Sequence, residues 1–100
     1  MMHARSGTYD ASPERLEEIA RELERELLPR YREQRGYKGF TLLVDRTSGR
    51  TIGTSYWDDE AALQEADELG SEAQKRAAER GGASSPPVHE SWEVLIDDIP

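Results

Sequence analysis

The chain has 100 residues, of which 34% are charged and 35% hydrophobic, and its formal net charge is −8. Nucleic acids and anionic membrane surfaces attract clustered lysine and arginine, so this charge argues against both as partners. The absence of cysteine excludes disulfides, thiolate nucleophiles and zinc–sulfur sites. We expect a single cytoplasmic domain over residues 1–100, since no signal peptide and no membrane-spanning apolar run is found.

The first strand and the first helix are predicted from the N-terminal third of the chain. A strand is expected over Met2–Asp10, directly before a strong helix start. Ser12 suits the N-cap and Pro13 the first helical position. Apolar side chains then recur at helical spacing, at Leu16, Ile19, Ala20, Leu23, Leu27 and Tyr31. Pro29 should kink the helix or end its regular part near Leu28.

A hairpin is predicted next, with strands over Phe40–Asp45 and Arg50–Trp57 and a four-residue loop over Arg46–Gly49. This loop length places Val44 opposite Thr51 and defines two faces. One face holds Phe40, Leu42, Val44, Gly53, Ser55 and Trp57, and it is expected to meet the helices. The other face holds Thr41, Leu43, Ile52, Thr54 and Tyr56. Both faces carry apolar residues, so the sheet is expected to be covered twice.

A second helix and a last strand complete the predicted elements. Asp58 is expected to cap the helix, and Gly70 followed by Ser71 is expected to interrupt it. Its narrow buried stripe is rich in alanine: Ala62, Ala66, Leu69, Ala73 and Ala77. Residues 81–87 form a loop, and clean alternation over Val88–Ile96 predicts a strand.

The order β-α-β-β-α-β predicts an α+β fold. With right-handed crossovers it gives the ferredoxin-like arrangement, a four-stranded antiparallel sheet with both helices on one face. The second face of an isolated monomer would expose Leu43, Ile52 and Tyr56 as an apolar patch, which soluble monomers avoid. We therefore expect a homodimer whose two sheets face each other.

Three passages, LLPRYREQRGYKGF, TLLVDRTSGRTIGTSYWDDEAAL and ESWEVL, follow the short first strand. Together they resemble the dimeric α/β-barrel proteins of the antibiotic biosynthesis monooxygenase (ABM) type, most specifically from Trp57 to Leu63. The resemblance covers nearly the whole chain and implies a cleft between sheet and helices in each subunit. Some members oxidise polyketide phenols with O₂ and no cofactor, some degrade haem, and many have no assigned activity. The resemblance therefore implies the fold more securely than the reaction.

The departures from the family bear on cofactors. Its haem-degrading members rely on an asparagine, a tryptophan and a histidine that ligates iron. This chain contains no asparagine, so haem degradation is not expected. Cofactor-free oxidation of a phenol needs a base, a cation or donor for the phenolate charge, and a dry pocket. We expect no cofactor, and the spacing of histidines and carboxylates predicts no metal.

Several side chains are candidates for those roles, each with a structural alternative. His89 is the candidate catalytic base, because an unperturbed imidazole titrates near pH 6.5. A lone strand histidine is more often a surface or interface residue. Arg5 and Tyr9 share a predicted strand face and offer a cation and a hydroxyl to a substrate oxyanion. The favoured alternative is an interface ion pair and a packed ring.

Trp57 is a candidate wall for a planar ligand, but the structural interpretation is favoured because the second helix starts directly after it. In that interpretation its ring locks the strand end against the helix. Thr54 and Tyr56 face away from Trp57 and are candidates to line the second face. Trp92 is predicted to belong to the core.

The leading functional prediction is binding of a small, planar, largely apolar molecule in the cleft of each subunit. Cofactor-independent monooxygenation of a phenolic or quinol-like compound is what the resemblance implies. The competing prediction is a non-enzymatic, homodimeric ligand-binding or accessory protein. A buried base next to a phenol-sized pocket favours the enzyme, whereas a filled or small cleft favours the alternative.

Overall fold

Four antiparallel strands form one sheet, and the helices lie on one of its faces. The computed structural model describes all 100 residues. The strands are β1 (His3–Asp10), β2 (Tyr37–Val44), β3 (Arg50–Trp57) and β4 (Val88–Glu93), in the order β2-β3-β1-β4. A 3₁₀ turn (Pro13–Arg15) precedes helices α1 (Leu16–Glu26), α2 (Leu28–Tyr31) and α3 (Glu60–Arg80). The predicted ferredoxin-like arrangement is confirmed. No helix is both long and apolar enough to cross a membrane.

The strand register arranges side chains in rows across the sheet, because paired residues point to the same face. Four rows face the helices: Tyr37, Trp57, His3 and Glu93; Phe40, Ser55, Arg5 and Ser91; Leu42, Gly53, Gly7 and His89; and Val44, Thr51 and Tyr9. Three rows lie on the open face: Gly39, Tyr56, Ala4 and Trp92; Thr41, Thr54, Ser6 and Glu90; Leu43, Ile52, Thr8 and Val88. The predicted hairpin register and the assignment of Phe40, Leu42 and Trp57 to the helix side are confirmed. Val44 stays partly exposed at the sheet edge.

The core lies between the sheet and the apolar stripes of α1 and α3. At one end of it, aromatic rings pack around the fully buried Trp57. Tyr31 meets its indole edge-on, with ring centroids 5.1 Å apart, and Tyr37 lies 5.5 Å away. The indole Nε1 donates a hydrogen bond to Ser55 Oγ at 2.8 Å. Edge-to-face aromatic pairs add about 0.5–1.5 kcal/mol beyond their buried area.

The N-terminal helix follows its prediction with one correction. Regular α1 stops before Leu27, and α2 carries Pro29 in its first turn, so the predicted break near Leu28 is confirmed. Ser12 precedes the 3₁₀ turn, but its side chain makes no capping hydrogen bond.

Two predictions for α3 were wrong. Asp59, not Asp58, caps the helix, because the Asp59 carboxylate accepts a hydrogen bond from Ala62 N at 2.8 Å. The helix also continues without interruption through Gly70. A Cβ at Gly70 would lie 2.0 Å from Tyr31 Oη, so the glycine gives room for the tyrosine instead of ending the helix.

Strand bounds and one core assignment also differ from prediction. Strand β2 begins at Tyr37, with an irregularity at Lys38, instead of at Phe40. Strand β4 ends at Glu93 instead of continuing to Ile96. Trp92 is not a core residue: it lies on the open face, 51% exposed, and its Nε1 donates to Ser6 Oγ at 2.9 Å.

Candidate functional site

A groove of about 480 Å³ runs along β1, between α3 and the edge strand β4. It exists because α3 packs on β1 and β3 and leaves the edge strand uncovered. The lining residues are His3, Arg5, Glu60, Leu63, Gln64, Asp67, Ser91, Trp92 and Glu93. Only two of these nine are hydrophobic, so the groove is suited to a ligand that carries polar substituents.

Arg5 is the cation of the groove, and α3 holds it in place. Its Nε lies 2.5 Å from Asp67 Oδ1, and its Nη2 donates to Ser71 Oγ at 3.1 Å. The predicted alternative for Arg5 was an ion pair at an interface. The ion pair is present, but it forms within the chain. The guanidinium is therefore positioned and its charge is already balanced.

His89 lies one row further along β1 than Arg5 and Ser91, on the same face. Its Nδ1 is buried and has no hydrogen-bond partner. Burial lowers the pKa of His89, Arg5 lowers it further, and Asp67 opposes the shift. The imidazole is thus neutral at pH 7, which is the form that can accept a proton.

Gln74 of α3 projects its amide onto the sheet above two glycines that are paired in register, Gly7 and Gly53. A Cβ at Gly7 would lie 2.1 Å from Gln74 Oε1 and 3.2 Å from His89 Cε1. Gln74 is 2% exposed, and its Oε1 has no hydrogen-bond partner. The amide of Gln74 and the ring of His89 therefore pack directly over Gly7, where there is no room for a Cβ.

Tyr9 is buried on the helix side of β1, but it belongs to a different cavity. Its hydroxyl has no hydrogen-bond partner, and burial raises its pKa, so the phenol stays neutral. It lines a recess of about 380 Å³ with Arg50, Ser85 and Glu90, beyond the groove that contains Arg5. Part of the predicted alternative, a packed ring, matches its burial in the core.

The remaining predicted site residues do not face the groove. Trp57 is a buried core residue, in agreement with its structural interpretation. Thr54 and Tyr56 lie on the open face of the sheet, opposite the helices. The structure thus places Arg5 and His89 in adjacent rows on the helix side of the sheet; Arg5 lines the groove, and His89 lies beside it, outside the nine lining residues.

Sequence reasoning missed the residues that α3 contributes: Asp67, Ser71 and Gln74. The sequence contains one indication for Gln74: it follows Ala73 of the buried alanine stripe, and a large polar side chain is unusual next to buried positions. Asp67 and Ser71 carried no signal that set them apart from the other polar residues of the helix. No group of three or more metal-type side chains is arranged to hold an ion.

Comparisons by sequence find relatives without an assigned activity. No family model matches the chain. The uncharacterized protein Rv2557 of Mycobacterium tuberculosis (strain H37Rv) is 33% identical over 94 residues, which are 94% of this chain and 41% of that protein. Rv2558 of the same strain is 31% identical over 96 residues, 40% of its length. The chain therefore spans about two-fifths of the curated relatives it matches.

Comparisons by structure find ABM-type proteins. The monooxygenase from the gene ActVA-Orf6 of Streptomyces coelicolor, solved with nanaomycin D, superposes with a TM-score of 0.77 at 16% identity, covering 98% of this chain and 91% of that one. A candidate antibiotic biosynthesis monooxygenase from Bordetella bronchiseptica gives 0.69 at 16% identity over 95% and 98%. The heme-degrader MhuD of Mycobacterium tuberculosis, solved with two hemes bound, gives 0.69 at 17% identity over 95% and 97%. The resemblance predicted from sequence is confirmed at the level of the fold, which is what identities this low can show.

Proposed function

We propose that this chain, which has the fold of the ABM-type proteins, binds a small planar molecule with oxygen substituents in the groove along β1. The observation that carries the proposal is the pairing of a fixed cation with a neutral base: Arg5 in one row and His89 in the next. The ligand seen in a monooxygenase of the same fold, nanaomycin D, supports the choice of ligand class.

The proposed reaction is cofactor-independent oxidation of a phenol by O₂. His89 accepts the phenolic proton, and the Arg5 guanidinium faces the developing phenolate charge. One oxygen atom enters the ring at a free para carbon and replaces its hydrogen, and the other leaves as water. The phenol supplies all four electrons, so the product is a quinone and no external reductant is consumed.

Oxygen uptake with 1-naphthol, whose para carbon is free, tests the reaction through formation of 1,4-naphthoquinone. His89→Ala should reduce the rate by about 10²–10⁴-fold if His89 acts as the base. Glu18→Gln, at an exposed position of α1 that lines neither the groove nor the open sheet face, serves as the control. Unchanged turnover in His89→Ala would refute the role of His89.

A second candidate function, ligand binding without catalysis, is favoured by one observation. The charge of Arg5 is already compensated by Asp67, which weakens its ability to stabilise a new negative charge. In that case calorimetry would detect 1-naphthol in the groove while an oxygen electrode records no uptake. Haem fits the site poorly, because charged side chains line the groove and an apolar macrocycle favours apolar walls.

We also propose that the chain forms a homodimer through its open sheet faces. Leu43, Val88 and Trp92 are 58%, 62% and 51% exposed on that face, and no element of the chain covers them. Native mass spectrometry should find a dimer, and Thr54→Arg, in the middle row, should dissociate it. Glu18→Arg on the exposed side of α1 is the control. A monomeric wild-type protein at micromolar concentration would contradict the proposal.

A further inference from the structure

We propose that the His3 end of the groove recognises a hydrogen-bond donor of the ligand, and that His3 Nε2 accepts the hydrogen. The inference rests on the proposed binding function and narrows the class of ligand. It predicts a planar molecule with two oxygen substituents, one facing Arg5 and the other, a hydroxyl, facing His3. Of the two histidines in the chain, His3 is the one that lines the groove.

The backbone determines which nitrogen of His3 carries the hydrogen. Nδ1 lies 3.1 Å from the carbonyl oxygen of Met1. A carbonyl oxygen can only accept, so Nδ1 is the donor of this hydrogen bond. In the neutral imidazole the other nitrogen, Nε2, then has a free lone pair and is an acceptor. The side chain is 18% exposed, so solvent competes weakly for that lone pair.

Nε2 is approached by a second acceptor. Glu60 Oε2, in the first turn of α3, lies 3.7 Å from Nε2, and both residues line the groove. Glu93, paired in register with His3, adds another carboxylate to the same end of the groove. A carboxylate has no hydrogen to donate. A ligand hydroxyl at this end would supply the hydrogen that the facing acceptors lack.

Arg5 gives the neighbouring part of the groove the opposite preference. A guanidinium has donors and no acceptor, so it suits an oxygen that presents a lone pair. Arg5 follows His3 by two residues on the same strand face, a spacing of about 6.7 Å. The oxygen atoms at positions 1 and 5 of a naphthalene are separated by a similar distance. One planar ligand can therefore place an oxygen at each residue.

The two ends together select against a ligand that carries acceptors alone. A methoxy oxygen satisfies Arg5, but at His3 it would meet Nε2 and the Glu60 carboxylate without a hydrogen to share. A site that pairs with a hydroxyl rejects an analogue that lacks it, because its own polar atoms then stay unpaired. The groove should thus require at least one O–H on the ligand.

Calorimetric titrations with 5-methoxy-1-naphthol and 1,5-dimethoxynaphthalene test this requirement. Both probes offer a methoxy oxygen to Arg5, and they differ by one hydroxyl hydrogen. The wild type should prefer 5-methoxy-1-naphthol by about fivefold to tenfold, the equivalent of one net hydrogen bond. Equal binding would mean that Nε2 already carries a proton held by Glu60, and it would overturn the inference while the groove proposal stands.

Two variants locate the preference. His3→Phe keeps a flat ring and removes both nitrogens, and Glu60→Gln places an amide N–H beside Nε2, so the protein itself supplies the hydrogen. Each should bind the two probes equally. Glu18→Gln, the same change at an exposed position in the first turn of α1, should keep the wild-type preference. A preference that survives in His3→Phe would overturn the role of His3, and binding of neither probe by the wild type would overturn the groove proposal as well.

Discussion

Replacing Gly7 with alanine tests whether the pairing of two glycines exists to accommodate Gln74. The new Cβ would lie 2.1 Å from Gln74 Oε1, 2.9 Å from its Cδ and 3.2 Å from His89 Cε1. Real Cβ atoms do not approach heavy atoms as closely as the first two distances, so the buried amide must move. Overpacking of this kind costs about 1–3 kcal/mol. Loss of glycine flexibility in the unfolded chain returns about 0.4–1 kcal/mol, so Gly7→Ala should destabilise the protein by roughly 1–2 kcal/mol.

A double-mutant cycle isolates the contact. Gln74→Ala alone opens a cavity and destabilises the protein, but it also removes the group with which a Cβ at Gly7 would clash. The double variant should therefore be more stable than the sum of the two single changes predicts, by about 1–2 kcal/mol. Gly53→Ala is the graded control, because its Cβ would lie 3.2 Å from both Gln74 Oε1 and Phe40 Cζ.

Urea denaturation followed by tryptophan fluorescence gives the free energies of unfolding, since Trp57 is buried in the native state. All variants are compared at one protein concentration and the comparison is restricted to equal m-values. Additive losses in the double variant, or equal losses in Gly7→Ala and Gly53→Ala, would refute the steric argument.

Three further predictions concern helices and protonation. Asp59→Ala should lower the melting temperature more than Asp58→Ala, because Asp59 caps α3. The Ala62 N–H lowers the pKa of Asp59, so the carboxylate's contribution to stability is lost as pH falls through the folded-state pKa. The difference between the two variants should therefore vanish in acid. Glu22→Gln should destabilise the protein by about 1–3 kcal/mol in urea melts, since its buried carboxylate joins α1 to Arg80 of α3 at 3.0 Å. The wild type should lose stability relative to His89→Gln as pH falls below about 6.5, because the pKa of His89 is lower in the folded than in the unfolded chain and protonation favours the unfolded chain. Parallel profiles of the free energy of unfolding against pH for the two proteins would contradict this prediction.

Local patterns in the sequence predict most of the fold. Helical periodicity located α1, Pro29 located its break, and the loop length between β2 and β3 gave their register because a slip of one residue would reverse both faces. The errors arise where a distant group decides a local outcome. Gly70 has the composition of a helix interruption, but contact with Tyr31, which no local pattern reveals, keeps it within α3. Trp92 has the alternation of a core residue, but it alternates onto the face without helices.

The candidate site is less predictable for the same reason. Arg5 and Ser71 are separated by 66 positions and meet only because α3 packs along β1. Sequence could suggest that Arg5 and His89 carry chemistry, since their side chains are a cation and a base. It could not show that Asp67 neutralises the cation or that Gln74 lies beside the imidazole, because both depend on how the helix is rotated about its axis.

Unpaired polar atoms along the helix side of the sheet have a thermodynamic consequence. Tyr9 Oη, Gln74 Oε1 and His89 Nδ1 are buried without hydrogen-bond partners, and each such atom costs about 1–3 kcal/mol. A domain of this size is stable by only about 5–15 kcal/mol, so three unpaired atoms are a large fraction of the total. Two of them belong to Gln74 and His89, whose side chains pack over Gly7. Gln74→Met, which removes one of the unpaired oxygens and keeps an unbranched side chain, should therefore raise the melting temperature, and a lower melting temperature would show that the amide is paired in the fold.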